Sequence, residues 1–216
     1  MASKIADKVE HFWVSRKEVE KGGEFQSSIW VFDGRGAKIL SRPSQKLEIA
    51  GSPKRNEYFF DMELDFYPFI VLPEQGVLVG IKQQLSLNKS LEVAQFGTDI
   101  KTHLFVHLII QNFLQNGETS NALLFSRHYE NLPYFNHALE MMLHSALESD
   151  SDKSPDSPEL MLPSAIEFVN QFPRSLEIIV NCARKSEMAL WGYFFSIAGD
   201  PKLLYQVFDL SIFLLF

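Results

Sequence analysis

The sequence predicts an α+β chain in which antiparallel strands are followed by a solenoid of stacked helical hairpins, and three observations carry that reading. From about Ser27 to Phe96 apolar residues recur with a period of two. Between Ala94 and Ile100 the spacing changes to three and four. The stretch from Ser175 to Pro201 then reads as one short helix folded back on another. Such a hairpin cannot hide its aromatics unless further hairpins stack on it.

In the first half, Phe60, Met62, Leu64 and Phe66 alternate with Asp61, Glu63 and Asp65, which puts the apolar set on one face of a strand and the carboxylates on the other. Three carboxylates in a ladder could hold a metal; the reading preferred is a solvated sheet face. Asp33-Gly34-Arg35-Gly36, between Ile29-Trp30-Val31-Phe32 and Lys38-Ile39-Leu40, signals a hairpin turn, as does Pro73-Glu74-Gln75-Gly76 between Phe69-Ile70-Val71-Leu72 and Val77-Leu78-Val79-Gly80-Ile81. Gly34 and Gly36 lack the third glycine and the following helix of a phosphate loop. About six short strands are expected, a sheet whose edges need cover.

The first helix is expected to be capped by Thr98 or Asp99, to carry Ile100, Leu104, Phe105, Leu108, Ile109 and Phe113, and to stop at Asn116-Gly117. A second spans about Glu118 to Tyr129 with Ala122, Phe125 and Tyr129 on one side. A third opens at Asn131-Leu132-Pro133 and aligns Phe135, Leu139, Met142, Leu143 and Ala146. Glu148 to Glu159 loses every large apolar side chain and reads as a disordered acidic loop, in which Ser154-Pro155 and Ser157-Pro158 are candidate phosphorylation sites. Helices resume from Leu162 through Val169 and stop near Phe172-Pro173. In the last hairpin Leu176, Ile179, Val180 and Ala183 precede a charged elbow, Arg184-Lys185-Ser186-Glu187; Leu190, Trp191, Phe194, Phe195 and Ala198 follow, up to Gly199-Asp200-Pro201. The domains expected are therefore 1–97, rich in strands, and 98–216, helical, with the acidic loop at 148–160.

With 46% apolar and 22% charged residues the chain can bury a core. A net charge of -7, with no offsetting basic cluster, argues against nucleic acid as a partner. Cys182 is the single cysteine, which excludes an intrachain disulfide, suits a reducing compartment and is read as a buried structural thiol. The charged N-terminus does not resemble a signal peptide, and no run approaches the ~20 apolar residues that cross a bilayer, so a cytosolic protein is expected. The apolar run Leu210 to Phe216 reads as an interrupted domain.

Few constellations suggest chemistry. His103 and His107 stand four apart on an expected helix, and His137, Glu140 and His144 share one helical face, spacings that could serve a metal. No glutamate follows His103 as a metallohydrolase would need and no third ligand is placed by spacing, and the His137, Glu140 and His144 set is discounted in the same way, so both are read as structural or surface groups, and no cofactor is expected. Arg184, Lys185 and Glu187 are candidate contact residues; the alternative is that they cap the helix end. Trp191 and the Tyr134-Phe135 pair are read as packing between helices.

Several motifs occur in one order: Leu132-Pro133-Tyr134-Phe135, His137, Leu139-Glu140, Met142-Leu143-His144, Phe168, Phe172-Pro173, Cys182-Ala183-Arg184-Lys185-Ser186-Glu187, Ala189-Leu190-Trp191 and Gly199-Asp200-Pro201-Lys202. Together they resemble the ribosome-control-protein family, the larger subunit of the Ric and Rgp guanine nucleotide exchange complex for a Golgi Rab GTPase. The likeness runs from about Phe60 to Phe208, since Phe66-Tyr67-Pro68 and Val77-Leu78-Val79-Gly80 resemble the last strands before that family's helices. It departs from the family's pattern at Asp209 to Phe216.

The resemblance implies a longer protein with a pair of WD-repeat-type propellers followed by an α-solenoid, of which this chain holds the junction. It also implies a smaller Rgp-like partner, a Golgi Rab GTPase reached through the complex, peripheral attachment to Golgi membranes and a role in retrograde transport from endosomes. Exchange factors work by differential binding, so no catalytic residue is expected. A coat or tethering scaffold is the second function class, and a metal-dependent enzyme the third.

Overall fold

A computed structural model describes residues 8–16, 25–43, 58–88, 93–151, 153, 160–188, 190, 191 and 194. The chain divides into two compact units, Met1–Phe105 and Val106–Phe216. The first is made of strands and the second of helices, so the α+β order expected from periodicity is the observed one.

Seven strands are described in the first unit: β1 (His11–Arg16), β2 (Phe25–Phe32), β3 (Gly36–Pro43), β4 (Tyr58–Glu63), β5 (Tyr67–Leu72), β6 (Val77–Asn88) and β7 (Val93–Leu104). They form two antiparallel meanders, β1-β2-β3-β4 and β5-β6-β7. The turn between β2 and β3 is the expected one. Asp33 Oδ1 accepts the main-chain N–H groups of Arg35 and Gly36, each at 3.2 Å, and Gly34 takes a φ of 84° that a side chain would resist. The N–H of Arg35, together with Lys38, holds the Asp33 carboxyl below its usual range. The strand expected over Phe60 to Phe66 ends at Glu63, because residues 64–66 turn the chain into β5. Phe60 and Met62 on β4 are buried with Phe66 of the turn, and Asp61, Glu63 and Asp65 are all exposed, the first two on the solvated face of β4 and the third in the turn.

Between β5 and β6 the backbones approach closely at Gly80, where a Cβ would lie 2.2 Å from the Tyr67 carbonyl oxygen and 2.5 Å from the Phe66 ring. Only glycine fits there. The two sheets of this unit are joined by side chains. Trp13 Nε1 donates to the Phe69 carbonyl at 3.3 Å, Phe32 meets Tyr67 edge-on, and Trp30 packs on Phe105 with centroids 4.7 Å apart.

The expected first helix is corrected in its opening turns. Thr98, Asp99 and Ile100 cap nothing; they lie in β7, which pairs along its whole length with β6. Threonine and isoleucine at 98, 100 and 102 suit a strand, and the ladder with β6 outweighs the helical spacing of Ile100, Leu104 and Leu108. The change to helix falls at Phe105–Val106 rather than near residue 98.

The second unit contains α1 (Val106–Gln115), α2 (Thr119–Arg127), α3 (Phe135–Ser151), α4 (Leu162–Val169) and α5 (Ser175–Lys185), and Met188, Leu190, Trp191 and Phe194 are again helical. Gly117, with φ 71°, ends α1 in a Schellman arrangement, since Glu118 N donates to Phe113 O at 2.8 Å and Gly117 N to Leu114 O at 3.0 Å. Helix α3 is the centre of the unit and packs on α1, α4 and α5. Ala122, Phe125, Tyr129, Phe135, Leu139, Met142, Leu143 and Ala146 are buried as expected. Leu176 is not: it is exposed, and Ile178 takes its place beside Ile179, Cys182 and Ala183.

The acidic segment is also corrected at its start. Helix α3 runs on to Ser151, and Asp150 is buried because its Oδ2 accepts the Met161 and Leu162 N–H groups at 2.8 and 2.7 Å, capping α4. Ser154, Ser157, Ala189, Phe195, Ala198, the Gly199-Asp200-Pro201-Lys202 motif and Asp209 to Phe216 lie outside the described residues.

Candidate functional site

The hairpin entries repeat. Before α3, Leu132 N donates to Tyr129 O at 2.9 Å and Phe135 N to Leu132 O at 3.0 Å; before α5, Phe172 N donates to Val169 O at 3.0 Å and Ser175 N to Phe172 O at 3.2 Å. Leu132-Pro133 and Phe172-Pro173 are equivalent at an offset of 40 residues (172 − 132). Proline in each turn removes a donor that the turn cannot use. The same offset superposes Leu139 on Ile179, Met142 on Cys182 and Leu143 on Ala183, all buried. Sequence reading missed this repeat because only the two prolines are identical in the turns; the period of about 40 is itself the signal of a helical array.

At the first turn Phe135 is buried and meets Phe172 edge-on, with centroids 5.3 Å apart. Tyr134 is half-buried, and burial raises its phenol above the ordinary range. Leu132 is half-buried and Pro133 exposed. The packing role assigned to this motif belongs to Phe135 and, in part, to its neighbours.

At the elbow, α5 ends at Lys185 and Ser186 turns to an extended conformation. Its last carbonyls are met by Ser186, whose Oγ donates to Cys182 O at 2.8 Å, and by Trp191, whose Nε1 donates to Ala183 O at 2.8 Å. Arg184, Lys185 and Glu187 therefore do not do the capping. Lys185 reaches back to α3 instead: its Nζ lies 2.5 Å from Glu140 Oε2, and Asn181 Nδ2 donates to Glu140 Oε1 at 3.0 Å. Glu140 is buried by this clamp, and His137 Nδ1 lies 3.6 Å away. Arg184, Glu187 and Met188 are exposed, and Leu190 is half-buried. The elbow is thus a fixed corner that offers a cation, a carboxylate and a thioether to solvent.

The histidine sets do not converge. His103 is on β7, opposite Leu78, and His107 is on α1, so the shared helix expected for them is absent. His144 pairs with Glu148 at 3.5 Å and not with the Glu140 cluster. Among the described residues no group of three ligating side chains is poised for a metal, and no helix is long and apolar enough to cross a membrane. Cys182 and Ala183 are buried, and burial pushes the Cys182 thiol up to about 12.

Helical hairpins repeating at about 40 residues, with α3 packed between α1 and α5, make this unit an α-solenoid. Residues 107–208 match the family described as RIC1 C-terminal alpha solenoid region, and the chain belongs to the RIC1 family. It is 32% identical over 152 residues to guanine nucleotide exchange factor subunit R06F6.8 of Caenorhabditis elegans, an alignment covering 67% of this chain and 10% of that protein. With guanine nucleotide exchange factor subunit RIC1 of Homo sapiens the identity is 27% over 219 residues, covering 94% of this chain and 15% of the relative. With subunit ric1 of Schizosaccharomyces pombe it is 26% over 155 residues, covering 70% and 14%. The chain thus spans 10 to 15% of the length of these relatives. No solved structure matches it.

Proposed function

We propose that this chain works as a non-enzymatic scaffold within a guanine nucleotide exchange complex for a Golgi Rab GTPase, in retrograde transport from endosomes. The match of residues 107–208 to the RIC1 solenoid region carries the reading, together with relatives named as exchange factor subunits. An exchange factor accelerates nucleotide release by binding the nucleotide-free GTPase better than the loaded one, which asks for a rigid surface. The clamped elbow at Arg184, Lys185 and Glu187 supplies such a surface, and its occupant in this reading is a smaller Rgp-like subunit. The strands of the first unit are then the end of a propeller region, and the complex sits peripherally on Golgi membranes through its partners.

The test is reconstitution of the full-length protein with its smaller subunit and release of a fluorescent GDP analogue from a Golgi Rab GTPase. Release accelerated by the complex, and lost when Arg184→Glu and Glu187→Lys uncouple the subunits, supports the proposal. Membrane assembly with no effect on release would replace it by a coat or tethering scaffold.

A further inference from the structure

The described sheet edges are not treated alike. The β5 edge carries Pro68 and an irregularity in register between Pro68 and Ile70, and β4 ends in Asp61 and Glu63, devices that discourage strand addition. Strand β7 is twelve residues long, has no proline and pairs without a bulge on its β6 side. Its other side pairs with no strand among the described residues. Phe96 is 70% and Ile100 75% exposed, on a face shared with the cross-strand partners Leu85 and Ile81. The opposite face carries Asp99 and Lys101.

We propose that β7 pairs antiparallel with β7 of a second copy of this chain, about a twofold axis at Ile100. In an antiparallel pair centred there, each residue meets the one whose number makes a sum of 200 with its own. Asp99 then faces the partner's Lys101, and Lys101 the partner's Asp99. On the apolar face Ile100 meets the partner's Ile100, Phe96 the partner's Leu104, and Thr98 the partner's Thr102. Every one of these is a favourable cross-strand pair. One residue of slip in either direction sets unlike groups together, so the sequence specifies the register as well as the pairing. Asp99 accepts from Gln84 Nε2 at 2.5 Å, which orients the carboxylate without using both its oxygens. A twofold contact uses one patch twice, and its self-complementary charges select a second copy over an unrelated strand.

The experiment is sedimentation velocity of the 216-residue chain over a concentration series, with folding followed by circular dichroism. A dimer is expected. Asp99→Lys and Lys101→Asp alone each weaken it by about tenfold or more, and the two together restore it, since the swap rebuilds both pairs. Ile100→Cys cross-links to itself under mild oxidation, while Phe96→Cys, which faces the partner's Leu104, does not. A monomer at all concentrations, reversals that change nothing, or a swap that fails to restore the dimer would each overturn the proposal. Equal cross-linking at positions 96 and 100 would overturn the register.

Discussion

The indole N–H of Trp191 donates to the main-chain carbonyl of Ala183 at 2.8 Å, tying the helix that follows the elbow to the last turn of α5. Trp191 is only half-buried, so its contribution is divided between this bond and packing on the helix end. Trp191→Phe keeps the ring contact and loses the bond, a cost of about 1 kcal/mol. Trp191→Ala loses both, about 2–4 kcal/mol. Urea denaturation followed by helical circular dichroism distinguishes these values, and equal losses for the two variants would mean that packing contributes nothing.

Lys185 and Glu140 predict an asymmetry. The carboxylate is buried while the lysine side chain is 57% exposed, so removing one partner does not resemble removing the other. Lys185→Met leaves a buried carboxylate with only Asn181 and His137 beside it, and about 1–3 kcal/mol is expected to be lost. Glu140→Leu strands no buried charge and costs less, because the freed ammonium turns to water. Thermal unfolding of the two variants side by side checks the order, and a larger loss for Glu140→Leu contradicts the clamp.

Periodicity shows the α+β order, both hairpin turns and the buried face of α3, because each is set by residues close in the chain. It fails at Ile100, where helical spacing and strand propensity compete and the deciding partner, Ile81, lies in another strand. The same limit applies at the elbow. Arg184, Lys185 and Glu187 are visible as charges, but the partner of Lys185 is Glu140 and the cap is Trp191, neither of which local sequence can announce. Leu176 looked apolar in the right register, yet it sits on the outer side of α5. Motif order identified the family where chemistry did not, since a docking surface has no obligatory residue pattern.

Asp150 is expected to hold the start of α4 in place. Its side chain is buried, it accepts two N–H groups of the helix, and Lys153 Nζ lies 3.0 Å from its other oxygen. Asp150→Ala leaves those donors buried without an acceptor and costs about 2–4 kcal/mol, while Asp150→Asn retains one carbonyl oxygen and costs about 1. Amide hydrogen exchange gives the local readout: Met161 and Leu162 should lose protection in Asp150→Ala before the rest of the unit does.

Cys182 is buried in α5, on the face it shares with Ile178 and Ile179, and burial raises its thiol from an ordinary 9.0 to about 12. Only the thiolate reacts with iodoacetamide. Native protein at pH 8 is therefore expected to label far more slowly than protein in urea, with mass spectrometry giving the extent. The same shift has a sign for stability. The neutral thiol is favoured by folding, so its contribution is complete below about pH 9, where the unfolded thiol begins to ionise, and is lost progressively as the pH rises to about 12. Cys182→Ala removes that ionisation at the cost of a small cavity, so its stability should fall less than the parent's across this range. Identical pH profiles for the two proteins would show that Cys182 does not titrate with unfolding.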